Sequence, residues 1–403
     1  MWLQWNEFKN IIKSRQVIFW GRGEWVEKTL PYASINAVFI VDRNKNEQGT
    51  VEHGLQVYSQ ERLKSLVDEK DKYYVVITTT DFYNVSDELN SYGFIAGKDY
   101  CVTPALINNR ILSDIRSYSS QIVLSSSDPY MDSPEKGGGI YIYDTKSNTY
   151  EKKISGVTQG FGFLDGKYYI VDDNKGMRIY NQTFTEELGL IDIPKKSRPH
   201  GMNIDIKKGL IYVAFSAMDA VGVYDAKNKK LIKQIQISDK FEQKGKAVHH
   251  INDLCVHEDS LFISMFSKSG HWKKGVFDGA IMEYDLISNK MLGPVVTGLW
   301  MPHNVKVIDG RLCYLDSMRG NFHKTTHKIA STFNGFIRGL DYDGEFYLIG
   351  QSVHRYFDRM RGFSNNIALD CGFHIFDDNS KGCKFYALPE LLDVHTLEVY
   401  APA

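Results

Sequence analysis

Four short polar clusters in the last two-thirds of the chain each run directly into an alternating apolar segment. They combine histidine, asparagine, aspartate and arginine, and they are Arg198-Pro199-His200-Gly201, His249-His250-Ile251-Asn252-Asp253, Met301-Pro302-His303-Asn304 and Phe336-Ile337-Arg338-Gly339. Polar clusters that recur at intervals of tens of residues are typical of repeat folds. When repeats surround a common axis, residues at one repeat position meet near that axis. The sequence therefore predicts one shared site.

The histidines of these clusters are candidate metal ligands. Neutral imidazole nitrogen binds zinc, iron, nickel and manganese well. His200, His250 and His303 come from three separate repeats, and Gln159 begins an earlier repeat. These residues predict a site for one divalent metal ion (Mn, Fe, Ni or Zn) that acts as a Lewis acid on a carboxylate or carbonyl group. For any one of them taken singly, a purely structural role in a turn is the alternative.

The remaining polar residues of the clusters predict an anionic substrate. Arg338 carries a planar guanidinium, which pairs with a carboxylate or phosphate through two hydrogen bonds. Asn252, Asp253 and Asn304 are candidates for assisting the reaction, and His354 is a further candidate in the last repeat. A solvated loop is the alternative explanation for His354.

The segments that follow the clusters have the pattern of four-stranded β-blades. Asp-Gly turns divide paired apolar strands, as at Asp165-Gly166 and Asp309-Gly310, and tolerate the positive φ angles of tight hairpins. Repeats anchored at Gln159, Pro199, His249, Pro302 and Ile337 are separated by roughly 40, 50, 53 and 35 residues, as in β-propellers.

A further blade completes the predicted ring. It runs from about Ile122 to Ile154, which makes six blades, and the strand Thr396–Tyr400 is expected to pair into it. Residues 116–403 are therefore predicted to form an all-β, six-bladed propeller.

Residues 1–115 predict a different fold, in which short apolar strands alternate with helices. The strands are expected at Gln16–Trp20, Ala37–Val41, Tyr73–Thr78 and Lys98–Val102. This alternation implies a parallel sheet of the Rossmann type. The predicted fold class is thus an α/β Rossmann-like domain followed by the propeller.

A glycine turn in this domain is a candidate nucleotide site. Gly21 and Gly23 lie between a strand and a helix, where backbone N–H groups bind phosphate, and Asp42 lies where dinucleotide enzymes hold ribose. However, Val26 replaces the third glycine, and Glu24 would place a negative charge beside the phosphates. Nucleotide binding and a role in assembly both stay open.

Composition excludes several classes of partner. The formal net charge of the 403 residues is -1, so no global field attracts nucleic acid or an anionic membrane. No apolar run is long enough to insert into a membrane. The five cysteines form no C-x-x-C pair, which favours a reduced, cytoplasmic setting. The sequence leaves oligomerisation open.

Both parts of the chain resemble known families. Val17–Gly23, Phe39–Asp42 and Val75–Thr80 resemble the small Rossmann-like domain attached to bacterial sugar-modifying and surface-polysaccharide enzymes. The Pro199-His200-Gly201 run and its copies resemble six-bladed propellers of the gluconolactonase, NHL-repeat and oligogalacturonate lyase kinds, and a bacterial propeller family of unknown function.

The ring of histidines with Gln159 is closest in residue type to the oligogalacturonate lyase site, which uses histidines and a glutamine. This resemblance implies a metal-assisted lyase, epimerase or hydrolase. Its substrate would be an anionic sugar or a molecule derived from a nucleotide sugar, and its setting surface-polysaccharide biosynthesis.

Two other classes of function stay open from the sequence. The first is a non-catalytic binding or scaffold protein, whose Rossmann-like domain serves assembly or nucleotide sensing. The second is a redox enzyme that binds a dinucleotide at Gly21, Gly23 and Asp42.

Overall fold

The structure, a computed structural model, describes residues 1–32, 34–128, 136–359 and 366–400. The chain divides into two compact units, Met1–Asp114 and Ile115–Ala403. Buried apolar clusters around Ile18 and Phe19 belong to the first unit, whereas those around Ile263, Ile211 and Ile349 belong to the second. Across these ranges, every helix is too short or too polar to cross a membrane.

The first unit is built on a mixed six-stranded sheet with helices. Its elements are α1 (Trp5–Ile12), β1 (Gln16–Trp20), α2 (Glu24–Thr29), β2 (Ala37–Val41), β3 (Val51–Glu52), β4 (Leu55–Tyr58), α3 (Glu61–Lys64), β5 (Tyr73–Ile77), α4 (Phe82–Ser91), β6 (Tyr100–Val102) and α5 (Ile107–Arg116). The strand order is β3-β4-β2-β1-β5-β6. Neighbouring strands are parallel except for the β3–β4 hairpin. The central strands are apolar along their length because both faces of a parallel sheet are covered.

The predicted strands Gln16–Trp20 and Ala37–Val41 are confirmed with the same ends. The β3–β4 hairpin and the helices α1 and α5 were not predicted. The hairpin strands are two and four residues long, too short to show a period, and His53 and Gly54 form their turn with positive φ angles of 52° and 78°.

The second unit is a six-bladed β-propeller of antiparallel four-stranded sheets. Its elements are β7 (Gln121–Ser126), β8 (Gly139–Asp144), β9 (Thr149–Ser155), β10 (Thr158–Leu164), β11 (Lys167–Asp172), β12 (Gly176–Asn181), β13 (Glu187–Ile191), β14 (Pro199–Asp205), β15 (Leu210–Phe215), β16 (Ala220–Asp225), β17 (Lys230–Gln236), α6 (Lys240–Lys244), β18 (Ile251–His257), β19 (Ser260–Met265), β20 (Gly279–Asp285), β21 (Lys290–Leu299), β22 (Pro302–Ile308), β23 (Arg311–Asp316), β24 (Asn321–His323), β25 (Ile329–Thr332), β26 (Phe336–Tyr342), β27 (Tyr347–Ser352), β28 (Gly372–Phe376), β29 (Cys383–Ala387) and β30 (Leu397–Val399).

The ring is closed by the C-terminal strand, as predicted. β30 pairs antiparallel with β7, with Leu397 opposite Leu124 and Val399 opposite Ile122. The first blade therefore has the order β30-β7-β8-β9, and its innermost strand comes from the far end of the chain. The other innermost strands are β10, β14, β18, β22 and β26, and successive ones contact each other around the axis.

Burial follows position in the blade. The second strand β15 is buried along nearly all its length, whereas the outer strand β17 is mostly exposed. Asp-Gly turns join innermost strands to second strands, as predicted: Asp165 and Gly166 have φ angles of 49° and 73°. These angles suit the tight two-residue hairpin. The five cysteines, all within the described ranges, are unpaired.

Candidate functional site

Each blade contributes one polar side chain at or within two residues of the start of its innermost strand. These six residues, here called the axial cluster, are Gln159 (β10), His200 (β14), His250 (β18), His303 (β22), Arg338 (β26) and His395 (β30). All six are buried, with 6–9% of their surface exposed. Sequence analysis named five of them and missed His395.

Four members of the axial cluster form a continuous chain of contacts. The His200 ring lies 5.4 Å from the His250 ring and 6.2 Å from the His395 ring, measured between centroids. Arg338 Nη1 donates a hydrogen bond of 3.0 Å to His395 Nε2. Because a guanidinium can only donate, His395 Nε2 is the acceptor and carries no proton in this arrangement.

His303 stands apart from this chain. The Phe266 ring contacts both His250 and His303, at centroid distances of 4.4 and 5.2 Å. His303 Nδ1 lies 3.0 Å from the Met301 carbonyl oxygen and 2.7 Å from Ser317 Oγ. Its ring is therefore held by local partners.

The predicted metal centre of His200, His250, His303 and Gln159 is not preformed. Within the described ranges, no three His, Cys, Asp or Glu side chains are placed to hold one metal ion. Two features oppose a metal ion here. Phe266 packs against His250 and His303, and the fixed positive charge of Arg338 would repel a cation. Metal binding stays a prediction that this arrangement does not favour.

Burial keeps the histidines of the cluster neutral. It lowers the pKa of His200 and His303 well below the ordinary value, and that of His395 in the same direction. The pKa of His250 falls to about 3, first because of burial and then because of the charges of Arg198, Arg338 and Lys273. At neutral pH these rings are uncharged, so each has one nitrogen able to accept a proton.

Several buried polar atoms at this end of the propeller lack a hydrogen-bond partner among the residues that the structure describes. They are Gln159 Oε1, His200 Nε2, Arg338 Nε and His354 Nε2. Leaving such an atom unsatisfied costs about 1–3 kcal/mol. Bound water, or a ligand that supplies partners to several of these atoms at once, would offset this cost.

A buried network fixes His395. Asp393 accepts hydrogen bonds of 2.8 Å from both Ser126 Oγ and the Ser127 N–H, and it pairs with Arg355. Burial alone would raise the pKa of Asp393, but the positive charges of Arg338 and Arg355 hold that pKa well below the ordinary value. Asp393 is therefore ionised.

This network is not a nucleophilic triad. Ser127 Oγ lies 2.7 Å from His395 Nε2, and Asp393 Oδ2 lies 3.5 Å from the same nitrogen. In a triad the serine and the carboxylate contact opposite nitrogens of the imidazole. Asp393 and Ser127 thus position His395, and through it Arg338.

The two asparagines predicted as catalytic residues bind backbone groups of other blades. Asn252 Nδ2 donates to the Pro302 carbonyl oxygen at 2.8 Å, and Asn304 Nδ2 donates to the His395 carbonyl oxygen at 3.1 Å. The Oδ1 atom of Asn304 accepts from the Gly339 N–H. Both amides are engaged by backbone groups, which makes them positioning residues.

Asp253 belongs to another cavity, further along the innermost strands. This cavity has a volume of about 220 Å³ and is also lined by Lys306 and Glu398. Burial raises the pKa of Asp253 and of Glu398 to about 7. Lys306 Nζ lies 2.9 Å from Asp341 Oδ1 and 3.7 Å from Glu398 Oε1.

His354 lies at the edge of the axial cluster. Its Nδ1 accepts a hydrogen bond of 3.1 Å from the Tyr356 N–H, so Nε2 carries the proton. Its ring packs on Phe336 at 5.6 Å, and Phe336 in turn packs on His303 at 5.6 Å. His354 contacts the cluster only through aromatic packing.

A positively charged cavity opens beside the axial cluster. This side pocket has a volume of about 460 Å³, and His250 and Trp272 form part of its wall. Its lining carries five cationic side chains and no carboxylate: Lys195, Lys196, Arg198, Lys246 and Lys273. The signal for it in the sequence was the basic segment Lys195 to Arg198, which ends two residues before His200 and which sequence analysis did not use.

The predicted nucleotide site in the first unit contains a set of ion pairs. Arg22, between the two glycines, lies 3.0 Å from Glu47, 3.3 Å from Glu52 and 4.0 Å from Asp42. Gly23 precedes α2, which has six residues. The carboxylates around Arg22 oppose phosphate, so nucleotide binding stays a prediction without support from these contacts.

Gly21 has a structural reason to be glycine. Its φ angle is 106°, and a Cβ atom there would lie 3.0 Å from the Thr78 carbonyl oxygen. The close packing of β1 against β5 accounts for this residue without a ligand.

Comparisons with known proteins agree with the fold and leave the chemistry open. A family model described as Domain of unknown function (DUF4915) matches residues 244–398. No curated protein matches the chain significantly. The propeller is similar to a chain in a structure described as "Crystal structure of Nidogen/Laminin Complex", with a TM-score of 0.50 and 10% identity, over 70% of this chain and 98% of that chain.

A protein of unknown function from Bacteroides caccae gives a TM-score of 0.49 and 12% identity, over 69% of this chain and 98% of that chain. Likeness at such low identity shows the fold alone. The second unit is a six-bladed β-propeller, and its residues 244–398 match the model of a domain of unknown function.

Proposed function

We propose that the propeller binds a sugar acid at the axial cluster and transfers a proton on it. The observation that supports this most directly is the set of unpartnered buried atoms Gln159 Oε1, His200 Nε2 and Arg338 Nε, which come from three different blades. Together they offer an acceptor for a hydroxyl group, a neutral imidazole nitrogen and a charged donor for a carboxylate.

Arg338 is the carboxylate-binding residue in this proposal. A guanidinium stays charged in proteins, although burial lowers the pKa of Arg338. A substrate carboxylate would accept from Nε and offset a buried positive charge. The opposing charge of Asp393 is already shared with Arg355. The interaction is charge-assisted and therefore strong.

His200 is the proton acceptor. Elimination and epimerisation of sugar acids both begin with removal of the proton from the carbon next to the carboxylate. His200 Nε2 would form the new N–H bond, while the electron pair of the broken C–H bond moves toward the carboxylate held by Arg338. Burial and the neighbouring charges of Arg198 and Arg338 lower the pKa of His200, and an anionic substrate would offset those charges. The proposal uses no metal step, because the cluster does not present a metal ligand set.

The first unit is proposed to be Rossmann-like and to serve assembly. In chain order its parallel strands β1, β2, β4, β5 and β6 lie in the sheet as 3-2-1-4-5, the order of Rossmann folds. The carboxylates around Arg22 oppose phosphate, so assembly is proposed rather than nucleotide binding. A cytoplasmic location is proposed from the unpaired cysteines.

Calorimetric titration with D-glucuronate, D-galacturonate and neutral D-glucose tests the binding step. The wild type should bind a sugar acid and not glucose, and Arg338→Ala should lose that binding, whereas Arg338→Lys keeps part of it. Glucose binding equal to that of the acids, or unchanged binding by Arg338→Ala, would refute the proposal.

Deuterium exchange tests the chemical step. In D2O, the wild type should exchange the proton on the carbon next to the carboxylate of the bound acid, as followed by NMR, and His200→Gln should not. Binding without exchange would leave a non-catalytic binding module.

A further inference from the structure

The side pocket carries more positive charge than one carboxylate can offset. Lys195, Lys196, Arg198, Lys246 and Lys273 line it, and no acidic side chain does. Three of them, Lys195, Lys196 and Arg198, also line a second cavity, where Asp172, Asp173 and Asp192 are the acidic residues. Like charges that line one open cavity of about 460 Å³ repel one another. A compact anion with more than one negative charge relieves this repulsion best.

The loop that supplies three of these cations is held in an unfavourable conformation. Lys196 and Arg198 have positive φ angles of 65° and 49°. Residues other than glycine rarely adopt such angles, and each costs on the order of 1–3 kcal/mol. The loop is held by hydrogen bonds from the Ser216 N–H and Oγ to the Arg198 carbonyl oxygen, at 3.1 and 2.9 Å. The same conformation recurs at His250 and Met301, each directly before its innermost strand, with φ angles of 53° and 56°. It is therefore a feature of the blade entry, and here it fixes the backbone from which Arg198 extends.

His250 connects the side pocket to the axial cluster. Its ring belongs to the pocket wall and lies 5.4 Å from the His200 ring. Arg198 and Lys273 on the pocket side and Arg338 on the axial side all lower the pKa of His250. The imidazole therefore lies in the field of both sets of cations.

Trp272 adds an apolar wall at this junction. Its ring centroid is 4.6 Å from that of His250 and 6.0 Å from that of Phe266. A flat, partly exposed indole can pack against the carbon face of a sugar ring. The junction thus combines a surface for a sugar ring with charges on either side of it.

We infer that the side pocket binds a phosphate or diphosphate group of the same ligand whose carboxylate pairs with Arg338. The ligand is then a phosphorylated sugar acid. This inference rests on the proposed function, since it needs a carboxylate at the axial cluster. The lysine ammonium groups would interact with the phosphoryl oxygens as compact positive charges, a common mode of phosphate binding.

The test compares D-glucuronate 1-phosphate, D-glucuronate and D-glucose 1-phosphate by calorimetric titration. Wild type should bind glucuronate 1-phosphate at least about tenfold more tightly than glucuronate. The double variant Lys246→Gln/Lys273→Gln should lose this gain and keep its affinity for glucuronate within about twofold, because neither lysine contacts the carboxylate.

The matched control is Lys244→Gln/Lys274→Gln, which removes the same charge from neighbouring exposed positions that do not line the pocket. This control variant should still bind glucuronate 1-phosphate more tightly than glucuronate. Equal loss in both double variants would overturn the inference, because the effect would then be one of net charge.

Two other outcomes separate the inference from the proposed function. If glucuronate binds and its 1-phosphate binds no more tightly, the inference fails and the proposed function stands. If neither acid binds, both fail. If glucose 1-phosphate binds as tightly as glucuronate 1-phosphate, the pocket and Arg338 do not share one ligand, and the inference is overturned.

Discussion

At the residue scale, the histidines of the axial cluster differ in what their ring nitrogens contact. His303 Nδ1 is held by Met301 and Ser317, and His395 Nε2 accepts from Arg338. His200 Nε2 is buried and has no partner within the described ranges. A ring nitrogen without a protein partner is the one free to act on a ligand.

Replacing His200 and His303 separately should therefore have opposite consequences. His200→Gln is expected to weaken binding of D-glucuronate about tenfold or more while changing the free energy of unfolding little, since the ring makes no hydrogen bond through Nε2. His303→Gln should lower stability by about 1–3 kcal/mol, because Ser317 and Met301 lose their partner. Titration calorimetry and urea unfolding measure the two effects. A His303 variant that loses binding with unchanged stability would contradict this assignment.

Asp253 should make stability depend on pH. Burial raises its pKa in the folded protein to about 7, from 3.8 when exposed. The folded state therefore holds a proton that the unfolded state releases, so the stabilisation is complete below about pH 4 and is lost as the pH rises through 7. Asp253→Asn should gain stability relative to wild type between pH 4 and 8, by at most about 4 kcal/mol.

Urea unfolding at several pH values measures this difference. Asp259→Asn is the control, because it makes the same substitution at a side chain that is 61% exposed. A flat difference for Asp253→Asn would show that this carboxyl is not protonated at neutral pH.

At the element scale, the innermost strands approach each other closely because small residues lie between them. A Cβ atom on Gly201 of β14 would collide with the Asp253 carboxylate of β18 and lie 2.9 Å from the Asn252 carbonyl oxygen. Gly201 directly follows His200, so the spacing of these strands also sets the distance between His200 and His250.

Gly201→Ala should separate β14 from β18. We expect a loss of about 1–3 kcal/mol in stability, as for other overpacked sites, together with weaker binding at the axial cluster. Gly23→Ala is the control, because a Cβ atom at Gly23 meets nothing within 4 Å. Thermal unfolding of both variants gives the comparison. Wild-type stability of Gly201→Ala would show that the blades can move apart at little cost.

The blades were predictable because their signals are local. The Asp-Gly turns and alternating strands repeat along the chain, and the closing strand at Thr396–Tyr400 overlaps β30 (Leu397–Val399). His395 was also predictable, because a polar residue at the start of an innermost strand lies near the axis and the closing strand is the innermost strand of the first blade. Sequence analysis did not identify it. The other innermost strands are each followed in sequence by the rest of their blade. The closing strand is not, because the rest of its blade lies near the start of the propeller.

The metal site was predicted on residue type and blade position, and these do not determine packing. Phe266 follows β19, a second strand, yet its ring packs against both His250 and His303. No sequence pattern near the histidines predicts this contact. The side pocket also depends on the path of a loop, although its basic residues were visible in the sequence.

At the scale of the whole molecule, each unit contains its own hydrophobic core. The clusters around Ile18 and Phe19 draw only on residues of the first unit, and those around Ile263 and Ile349 only on residues of the second. The propeller also closes within itself, since β30 pairs with β7. A unit with its own core and closed sheet is able to fold alone.

Residues 115–403 should therefore fold without the first unit and bind D-glucuronate with the affinity of the full chain. Circular dichroism, thermal unfolding and calorimetric titration of this fragment are the measurements. A folded fragment that no longer binds the acid would show that the first unit contributes to the site.

A crystal structure with bound D-glucuronate tests the central claim most directly. The account predicts that the carboxylate lies within about 3 Å of Arg338 Nε and that the neighbouring carbon faces His200 Nε2. A ligand bound elsewhere, or His200, His250 and His395 found away from Arg338, would contradict it.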